Sequence, residues 1–303
     1  MQLRHLRYFV TLARVRHFAR AAEECGVSQP TLSAGLVALE QEFGRRLIDR
    51  DRRFIALTPH GEAMLPWAQQ MLGAMAAMSA AVSAAPLEGR FTLAAIPAAL
   101  PLVGRFGAAL LAANPGLALQ VRSATARAIA QGLASLEIDA GITYLDEEPP
   151  PGALGVPLAG EDYCFLTRRG GRFDGRTSIG WDEAVATDLC LLDETMLYRR
   201  ILDARLARRG LVARPRATAD SHVALLALVA SGAFSAIVPD GYAQFLAGVE
   251  WARFLTLDPA EPVRRIGLVV QRHDPPLPRS EAALAAARGF LIDGTYQPWP
   301  ISI

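Results

Sequence analysis

Two short helical patterns joined by a tight turn near the N-terminus constrain most strongly how this chain can fold. Apolar residues recur at i, i+3, i+4 and i+7 over residues 18–25, which predicts an amphipathic helix. Gly26 supplies a turn, and the next helix is predicted to begin with Ser28 as its N-cap and Pro30 in its first turn. The chain therefore predicts a helix-turn-helix, preceded by a further amphipathic helix over residues 3–14.

The second helix of this pair is predicted to have two different faces. Leucines within residues 32–39 form an apolar stripe, while the opposite face carries small and polar side chains. A helix of this kind can pack on a core with one side and enter the major groove of DNA with the other. We expect Gln29 and Ser33 to contact base edges and Pro30 to make an apolar contact.

A short hairpin with arginine at its tip is predicted after the second helix. Leu47–Arg50 and Phe54–Leu57 have strand character, and the segment between them contains Arg52 and Arg53. This hairpin would form the wing of a winged helix-turn-helix. We expect Thr31 and the two wing arginines to hold phosphates or enter the minor groove, although a solvated surface charge is the alternative for each arginine. The predicted DNA-binding residues are Gln29, Pro30, Thr31, Ser33, Arg52 and Arg53.

Charge is distributed unevenly along the chain. All 31 basic residues are arginine, and the net charge of the whole chain is +1. Residues 1–60 hold ten arginines against six acidic residues, a net charge of +4, and the remainder has a net charge of −3. A basic N-terminal unit on a slightly acidic body fits contact with nucleic acid at one end of the molecule.

A long helix is predicted to follow the wing, with Thr58 as its N-cap and Pro59 in its first turn, ending near Ala85. At about 1.5 Å per residue it would form a rod of roughly 42 Å. Its apolar residues step alternately by four and three, which is the spacing of a coiled-coil seam. We expect this helix to mediate dimerisation; packing of the same stripe on the following domain is the alternative. The seam residues are Met64, Ala68, Met71, Met75, Met78 and Val82.

The rest of the chain alternates between strand and helix patterns. Buried-strand patterns at Phe91–Ile96 and Leu117–Arg122 are separated by a helical pattern, and a similar series begins at Tyr163. This alternation predicts parallel sheets in two α/β lobes, with crossovers near Ala159–Asp162 and Val263–Ile266. The predicted units are a DNA-binding domain (1–58), a linker helix (59–87) and an effector-binding domain (88–303), divided into lobe I (88–161 and 267–303) and lobe II (162–266).

Composition and spacing argue against several other classes of protein. The three cysteines, Cys25, Cys164 and Cys190, are far apart and lack metal-ligand spacing, so reduced thiols in the cytoplasm are expected and a redox switch is the alternative. No signal peptide, membrane-length apolar run, phosphate-binding loop or catalytic constellation is apparent, so no membrane partner, cofactor, metal or enzymatic activity is expected. The competing hypothesis is a two-lobed small-molecule binding protein or enzyme without a DNA role.

In this arrangement the chain resembles the LysR-type transcriptional regulators. The residues that carry the resemblance run from Phe18 to Ser33 and continue at Leu39-Glu40, Phe43-Gly44, Leu47, Arg50, Leu57-Thr58 and Gly61. Weaker agreement extends through 138–142 and 228–239. The resemblance implies an α/β multi-domain protein with a winged helix-turn-helix, a long linker helix and a two-lobed effector domain like that of periplasmic binding proteins. It also implies promoter DNA as a partner and assembly as a dimer or, as a dimer of dimers, a homotetramer.

The resemblance further implies that a small organic effector binds in the cleft between the lobes. Hydroxyl side chains and free N–H groups at helix N-termini favour an anionic effector. Thr125 is the first candidate, although a simple N-cap role is the alternative. For His222, a packed histidine at a helix start is favoured over a ligand contact. Ala98 lies where the family often has a hydroxyl side chain, so one side chain fewer is available to bind an anion. The predicted effector-binding residues are Ala98, Ala99, Ser123, Thr125, Thr195, Ser221 and His222.

Overall fold

The computed structural model of the chain describes residues 2–49, 56–83, 86–146, 152–259 and 264–292. Its N-terminal unit consists of three helices and a short antiparallel hairpin in which Ile48 pairs with Leu57. These elements are α1 (Leu3–Val15), α2 (Phe18–Cys25), α3 (Gln29–Phe43), β1 (Ile48–Asp49) and β2 (Ala56–Leu57). The helix-turn-helix and the strands at the base of the wing are therefore present, whereas the wing tip, including Arg52 and Arg53, lies outside the described residues.

The core of the N-terminal unit forms where α1 crosses α3. Phe9 and Leu36 are fully buried there, as the apolar periodicity of each helix requires. Gly35 lies inside α3, where glycine costs about 1 kcal/mol relative to alanine. A Cβ at this position would lie 2.7 Å from a ring carbon of Tyr8. The glycine therefore permits α1 and α3 to approach closely.

The linker helix α4 spans Pro59–Ser83 and begins as predicted. The Thr58 hydroxyl accepts a hydrogen bond from the Gly61 backbone N–H at 3.1 Å, which caps the helix. The seam divides into two parts along the helix. Ala68 is buried against the N-terminal core, whereas the three methionines further along the seam are exposed, and the Val82 side chain lies outside the described part. The exposed fractions are 43% for Met71, 42% for Met75 and 62% for Met78.

The linker helix also contacts the first lobe of the body. Leu136 adopts a left-handed conformation with φ of 56°, and its side chain occupies the space next to Gly73 of α4. A Cβ at Gly73 would overlap that leucine side chain. Beside this contact, the amide of Gln69 lies 3.5 Å from a carboxylate oxygen of Glu137. The DNA-binding unit is therefore joined to the body by packing as well as by the chain.

The first lobe is built on a five-stranded mixed sheet with the order β4-β3-β5-β13-β6. Strand β3 runs parallel to β4 and β5, whereas β13 runs antiparallel to β5 and β6. The strands are β3 (Gly89–Ala95), β4 (Leu117–Ser123), β5 (Ala140–Tyr144), β6 (Ala153–Glu161) and β13 (Arg264–Gln271). The helices are α5 (Leu100–Ala113), α6 (Ala126–Ala134) and α11 (Pro278–Ile292), and a 3₁₀ turn at Pro97–Ala99 precedes α5.

The second lobe contains a four-stranded sheet with the order β11-β7-β12-β8 and a separate parallel pair, β9 with β10. Strand β7 is antiparallel to both of its neighbours, so this sheet is not the predicted parallel one. The strands are β7 (Tyr163–Arg168), β8 (Ser178–Gly180), β9 (Cys190–Leu192), β10 (Ala217–Ala219), β11 (Ala236–Pro239) and β12 (Ala252–Asp258). The helices are α7 (Trp181–Val185), α8 (Leu197–Arg208), α9 (His222–Ala230) and α10 (Gly241–Phe245).

The chain passes between the lobes on two segments. The first follows β6, where Asp162 alone separates it from β7, and the second joins β12 to β13. Strand β13 already pairs with β6 at Arg264, so residues 264–266 lie in the first sheet, although the sequence pattern predicts lobe II up to residue 266. Among the described residues, no helix is both long and apolar enough to cross a membrane.

Candidate DNA-binding surface and interlobe cleft

The N-terminus of α3 is organised by side-chain capping. The Ser28 hydroxyl accepts a hydrogen bond from the Thr31 backbone N–H at 3.3 Å, and the two hydroxyl oxygens lie 2.8 Å apart. Gly26 ends α2 with φ of 69°, the left-handed conformation that glycine adopts without strain. This turn fixes the direction in which α3 leaves α2. The first turn of α3 is consequently a capped turn whose direction is set by the preceding turn.

The predicted base-contacting residues lie together on this surface. Gln29, Pro30 and Thr31 are exposed at the start of α3, and Ser33 is half-buried one turn further on. Leu32 of the same helix is fully buried in the core. The helix thus presents a small polar face to solvent while its apolar face holds it in place, which is the arrangement required for insertion into a DNA groove.

Two further interactions set the position of the wing, and the sequence reasoning did not assign them. Glu40 accepts hydrogen bonds from the backbone N–H groups of Leu47, at 2.9 Å, and Ile48, at 3.2 Å. The Thr58 hydroxyl donates to the carbonyl of Arg46 at 2.6 Å. These bonds tie the end of α3 and the start of α4 to the base of the hairpin. A glutamate eight residues before a strand carries no local signal for this role.

The predicted effector-binding hydroxyls lie at the ends of strands, where ligands bind in α/β folds. Thr125 and Ser221 are exposed N-caps and accept hydrogen bonds from the N–H groups of Ala128 (3.2 Å) and Ala224 (3.3 Å). Each hydroxyl keeps its own proton available for donation. Thr195 is also exposed, but its hydroxyl donates to Asp193 at 2.7 Å.

The remaining predicted effector residues differ in their access to solvent. Ser123 is exposed at the end of β4, whereas Ala98 and Ala99 are buried in the turn before α5. His222 is buried at the start of α9, and its ring stacks on Tyr242 with centroids 4.5 Å apart. Burial lowers the pKa of His222 to about 4, so the ring is neutral at neutral pH. The predicted set is thus divided between exposed hydroxyls and buried groups.

A hydrogen bond joins the two lobes next to these buried residues. The Tyr242 hydroxyl of the second lobe donates to the carbonyl of Pro97 in the first lobe at 3.1 Å. A cavity of about 10 Å³ is lined by residues of both lobes and of the first crossing segment, including the chain neighbours of Pro97 and Tyr242. Its lining includes Ala98, Glu161 and Asp240. Sequence reasoning missed both acids, because nothing local indicates that they are buried.

Burial changes the ionisation of these two carboxyl groups. Burial raises the pKa of Glu161 to about 8, although its hydrogen bond from Tyr144 and the nearby arginines act in the opposite direction. Burial likewise raises the pKa of Asp240 to about 7, against the effect of backbone hydrogen bonds. At neutral pH Glu161 is therefore mostly protonated, and Asp240 is divided between its two forms.

Neither metal coordination nor thiol chemistry is evident at these sites. Within the described ranges, no group of three or more His, Cys, Asp or Glu side chains could hold a metal ion. Cys164 and Cys190 are buried in strands of the second lobe, and Cys25 is partly buried in the N-terminal unit. Burial raises the pKa of the Cys164 thiol well above its usual range.

Two family models match this chain and together cover most of it. The model of the lysR family of bacterial regulatory helix-turn-helix proteins matches residues 3–62, and the model of the LysR substrate binding domain matches residues 84–291. The chain belongs to the LysR family. It is therefore a DNA-binding transcriptional regulator with an N-terminal helix-turn-helix and a two-lobed α/β domain, and its family is one of regulators rather than enzymes.

This LysR-family regulator is similar to known proteins over nearly its whole length. It is 31% identical over 298 residues to a probable hydrogen peroxide-inducible genes activator of Mycobacterium avium, covering 96% of this chain and 94% of that protein. The structure of a full-length OxyR variant from Pseudomonas aeruginosa has a TM-score of 0.78 at 26% identity, covering 96% and 94% of the two chains. Full-length CbnR in complex with its target DNA shares the fold, with a TM-score of 0.65 at 24% identity over 96% of this chain and 100% of that one.

Proposed function

We propose that this LysR-family regulator reads promoter DNA with the first turn of α3 and the wing, and responds to a small organic effector in the cleft between its lobes. The observation that carries the DNA assignment is the exposed start of α3, capped by Ser28, beside the base of the wing. Gln29 and Ser33 are the proposed base readers, and Pro30 is the proposed apolar contact. Thr31, Arg52 and Arg53 are the proposed phosphate or minor-groove contacts.

A gel-shift titration tests the base readers, with the intergenic DNA beside the regulator's own gene as the probe. Gln29→Ala should lose about 1–3 kcal/mol of discrimination between this probe and mutated half-sites. The control is Gln41→Ala, because Gln41 is also an exposed glutamine of α3 but lies at the other end of the helix. Equal discrimination by the Gln29→Ala variant and the wild type would assign base reading to other residues.

The wing is tested through the salt dependence of the same binding reaction. Arg53→Ala should weaken binding to all sequences about equally and lower the salt slope by about one, because one phosphate contact and its released counterion are lost. Arg53 lies outside the described residues, so this assignment rests on the hairpin pattern and the pairing of β1 with β2. An unchanged affinity and salt slope would contradict it.

We propose that the exposed half of the α4 seam pairs with a second copy of the chain, and that two such dimers form a tetramer. Met71, Met75 and Met78 support this because large apolar side chains on a linker lose favourable burial when they face water. The first half of the seam is already covered by the N-terminal core. Dimerisation through the second half would place two α3 helices on neighbouring DNA half-sites.

For the effector, the exposed N-caps Thr125 and Ser221 support an anionic group held at the starts of α6 and α9. A thermal-shift screen of small carboxylates tests this on the full-length protein, since a ligand that binds the native state raises its Tm. Thr125→Val should abolish the shift produced by any carboxylate that raises the wild-type Tm. A shift of equal size in the variant would place the anion elsewhere.

The names of several relatives make hydrogen peroxide a second candidate signal. A thiol reacts with peroxide as the thiolate, in an accessible position that lowers its pKa. Cys164 and Cys190 are fully buried, and burial raises the pKa of both. These features favour ligand binding over thiol oxidation as the input. Peroxide treatment should leave the gel shift unchanged, and a change that Cys25→Ser abolishes would instead identify Cys25 as a sensor.

A further inference from the structure

The small cavity at the junction of the lobes is lined by two acids that have unused hydrogen-bonding capacity. Glu161 is 3% exposed and Asp240 is 9% exposed. The Glu161 Oε1 atom accepts a hydrogen bond from the Tyr144 hydroxyl at 2.8 Å. Among the described residues, neither Glu161 Oε2 nor Asp240 Oδ1 has a hydrogen-bond partner. Buried polar atoms are nearly always paired, so two unpaired carboxyl oxygens at one cavity indicate a bound group that donates hydrogen bonds.

The cations near this cavity are already engaged with other groups. The Arg264 guanidinium lies over the Tyr144 ring, 4.1 Å from its centroid. The Arg205 guanidinium forms an ion pair with Asp162 at 3.4 Å and lies over the Tyr163 ring at 4.5 Å. Both arginines favour ionisation of Glu161, yet burial outweighs them and its pKa remains about 8. Among the described residues, these two arginines therefore compensate Glu161 only in part.

The size of the cavity limits what can lie between them. Its volume of about 10 Å³ holds one water-sized group. A protonated primary amine has this size at its nitrogen and carries three N–H donors and a positive charge. A neutral hydroxyl has the size but only one donor, and a guanidinium is too large for the space.

We propose that this cavity binds the protonated primary amine of the effector, held between the Glu161 and Asp240 carboxylates. The inference rests on the proposed function, because it takes the interlobe cleft as the ligand site. With an anionic group at the α6 or α9 N-terminus, the effector would be a zwitterion with an amine and a carboxylate. Since Glu161 ends β6 and Asp240 follows β11, the amine would join the end of β6 to the second lobe.

A bound ammonium group favours the ionised form of both carboxyl groups, so amine binding should release protons at neutral pH. Affinity should rise from about pH 6 to about pH 8, through the raised pKa values of Asp240 and Glu161. The neighbouring histidine, His222, stays neutral over this range because burial lowers its pKa to about 4. Among the described residues, the other titratable or charged groups around the site include Tyr144, Asp162, Tyr163, Cys164, Tyr198, Arg205, Tyr242 and Arg264.

The test measures the Tm of the full-length protein with methylammonium chloride, against tetramethylammonium chloride and potassium chloride at equal ionic strength. Tetramethylammonium has the same charge but is larger and has no N–H donor. At about ten times its Kd, methylammonium should raise the Tm by about 3 °C near pH 8, and by less near pH 6. Glu161→Gln and Asp240→Asn should each abolish the rise, and the exposed-site control Glu250→Gln should retain it.

Equal Tm values in methylammonium and tetramethylammonium would overturn the proposal, as would a full response in Asp240→Asn. Calorimetric titration of the wild type with methylammonium in buffers of different ionisation enthalpy adds a readout that needs no variant, because proton release is expected and its absence contradicts the proposal. The proposed function fails separately. If methylammonium does not bind, the gel shift and the carboxylate screen can still be positive. A negative gel shift refutes the DNA assignment whether or not methylammonium binds.

Discussion

Replacing Glu161 with glutamine should change how the stability of the free protein depends on pH. Burial raises the pKa of this carboxyl from 4.5 to about 8, so the fold favours the protonated form. For such a group, the stabilising contribution is present below pH 4.5 and is lost as the pH rises through about 8. Glutamine remains neutral throughout and can still accept the hydrogen bond from Tyr144. The stability of the variant should therefore not fall in this way as the pH rises.

The expected change in the free energy of unfolding follows from the raised pKa of Glu161. At about 1.4 kcal/mol per pH unit, the wild type should lose on the order of 5 kcal/mol between about pH 4.5 and about pH 8 through Glu161 alone. Asp240 also lowers the free energy of unfolding as the pH rises toward about 7. Because Asp240 is present in both proteins, its contribution largely cancels in their difference. The free energy of unfolding of Glu161→Gln should therefore rise relative to the wild type by several kcal/mol across this range.

Urea unfolding followed by tryptophan fluorescence at a series of pH values measures that difference. Trp181 reports on the second lobe because its ring is buried and its Nε1–H donates to the carbonyl of Pro259 at 3.0 Å. Glu250→Gln is the matched control, since Glu250 is exposed and its replacement should leave the profile unchanged. Parallel wild-type and Glu161→Gln profiles, within about 1 kcal/mol, would refute the reasoning that burial keeps this acid protonated.

Three other predictions concern the linker and the lobe junction. Gly104→Ala, in an open helical position, should stabilise by about 0.5–1 kcal/mol in urea unfolding, whereas Gly73→Ala should stabilise by less because its Cβ must displace the tip of the Leu136 side chain. Met75→Glu should weaken self-association at least tenfold in analytical ultracentrifugation, and the exposed control Gln70→Glu should not. Tyr242→Phe removes the hydroxyl bond between the lobes and should lower the unfolding free energy by about 1 kcal/mol; an unchanged value would assign that bond no net contribution.

Much of the N-terminal unit could be predicted because its signals are local. The capping of α3 by Ser28, the turn at Gly26 and the capping of α4 by Thr58 involve residues within a few positions of one another. The apolar spacing of the first helices likewise needs only the period of a helix. For the same reason Thr125 and Ser221 could be identified as helix starts, whereas their role toward a ligand stays a prediction.

The sequence by itself thus determined the order of the domains and the helix-turn-helix, since periodicity and capping act over one or two helical turns. Only the tertiary structure decided the direction of strand pairing, because β7 runs antiparallel to β11 and β12 from far along the chain, where the sequence pattern predicted a parallel sheet. It alone brought Glu161 and Asp240 to one cavity between the lobes and buried them there. An acid in a sequence is by default a solvated charge, and its altered pKa arises from desolvation by distant segments, which no local pattern records.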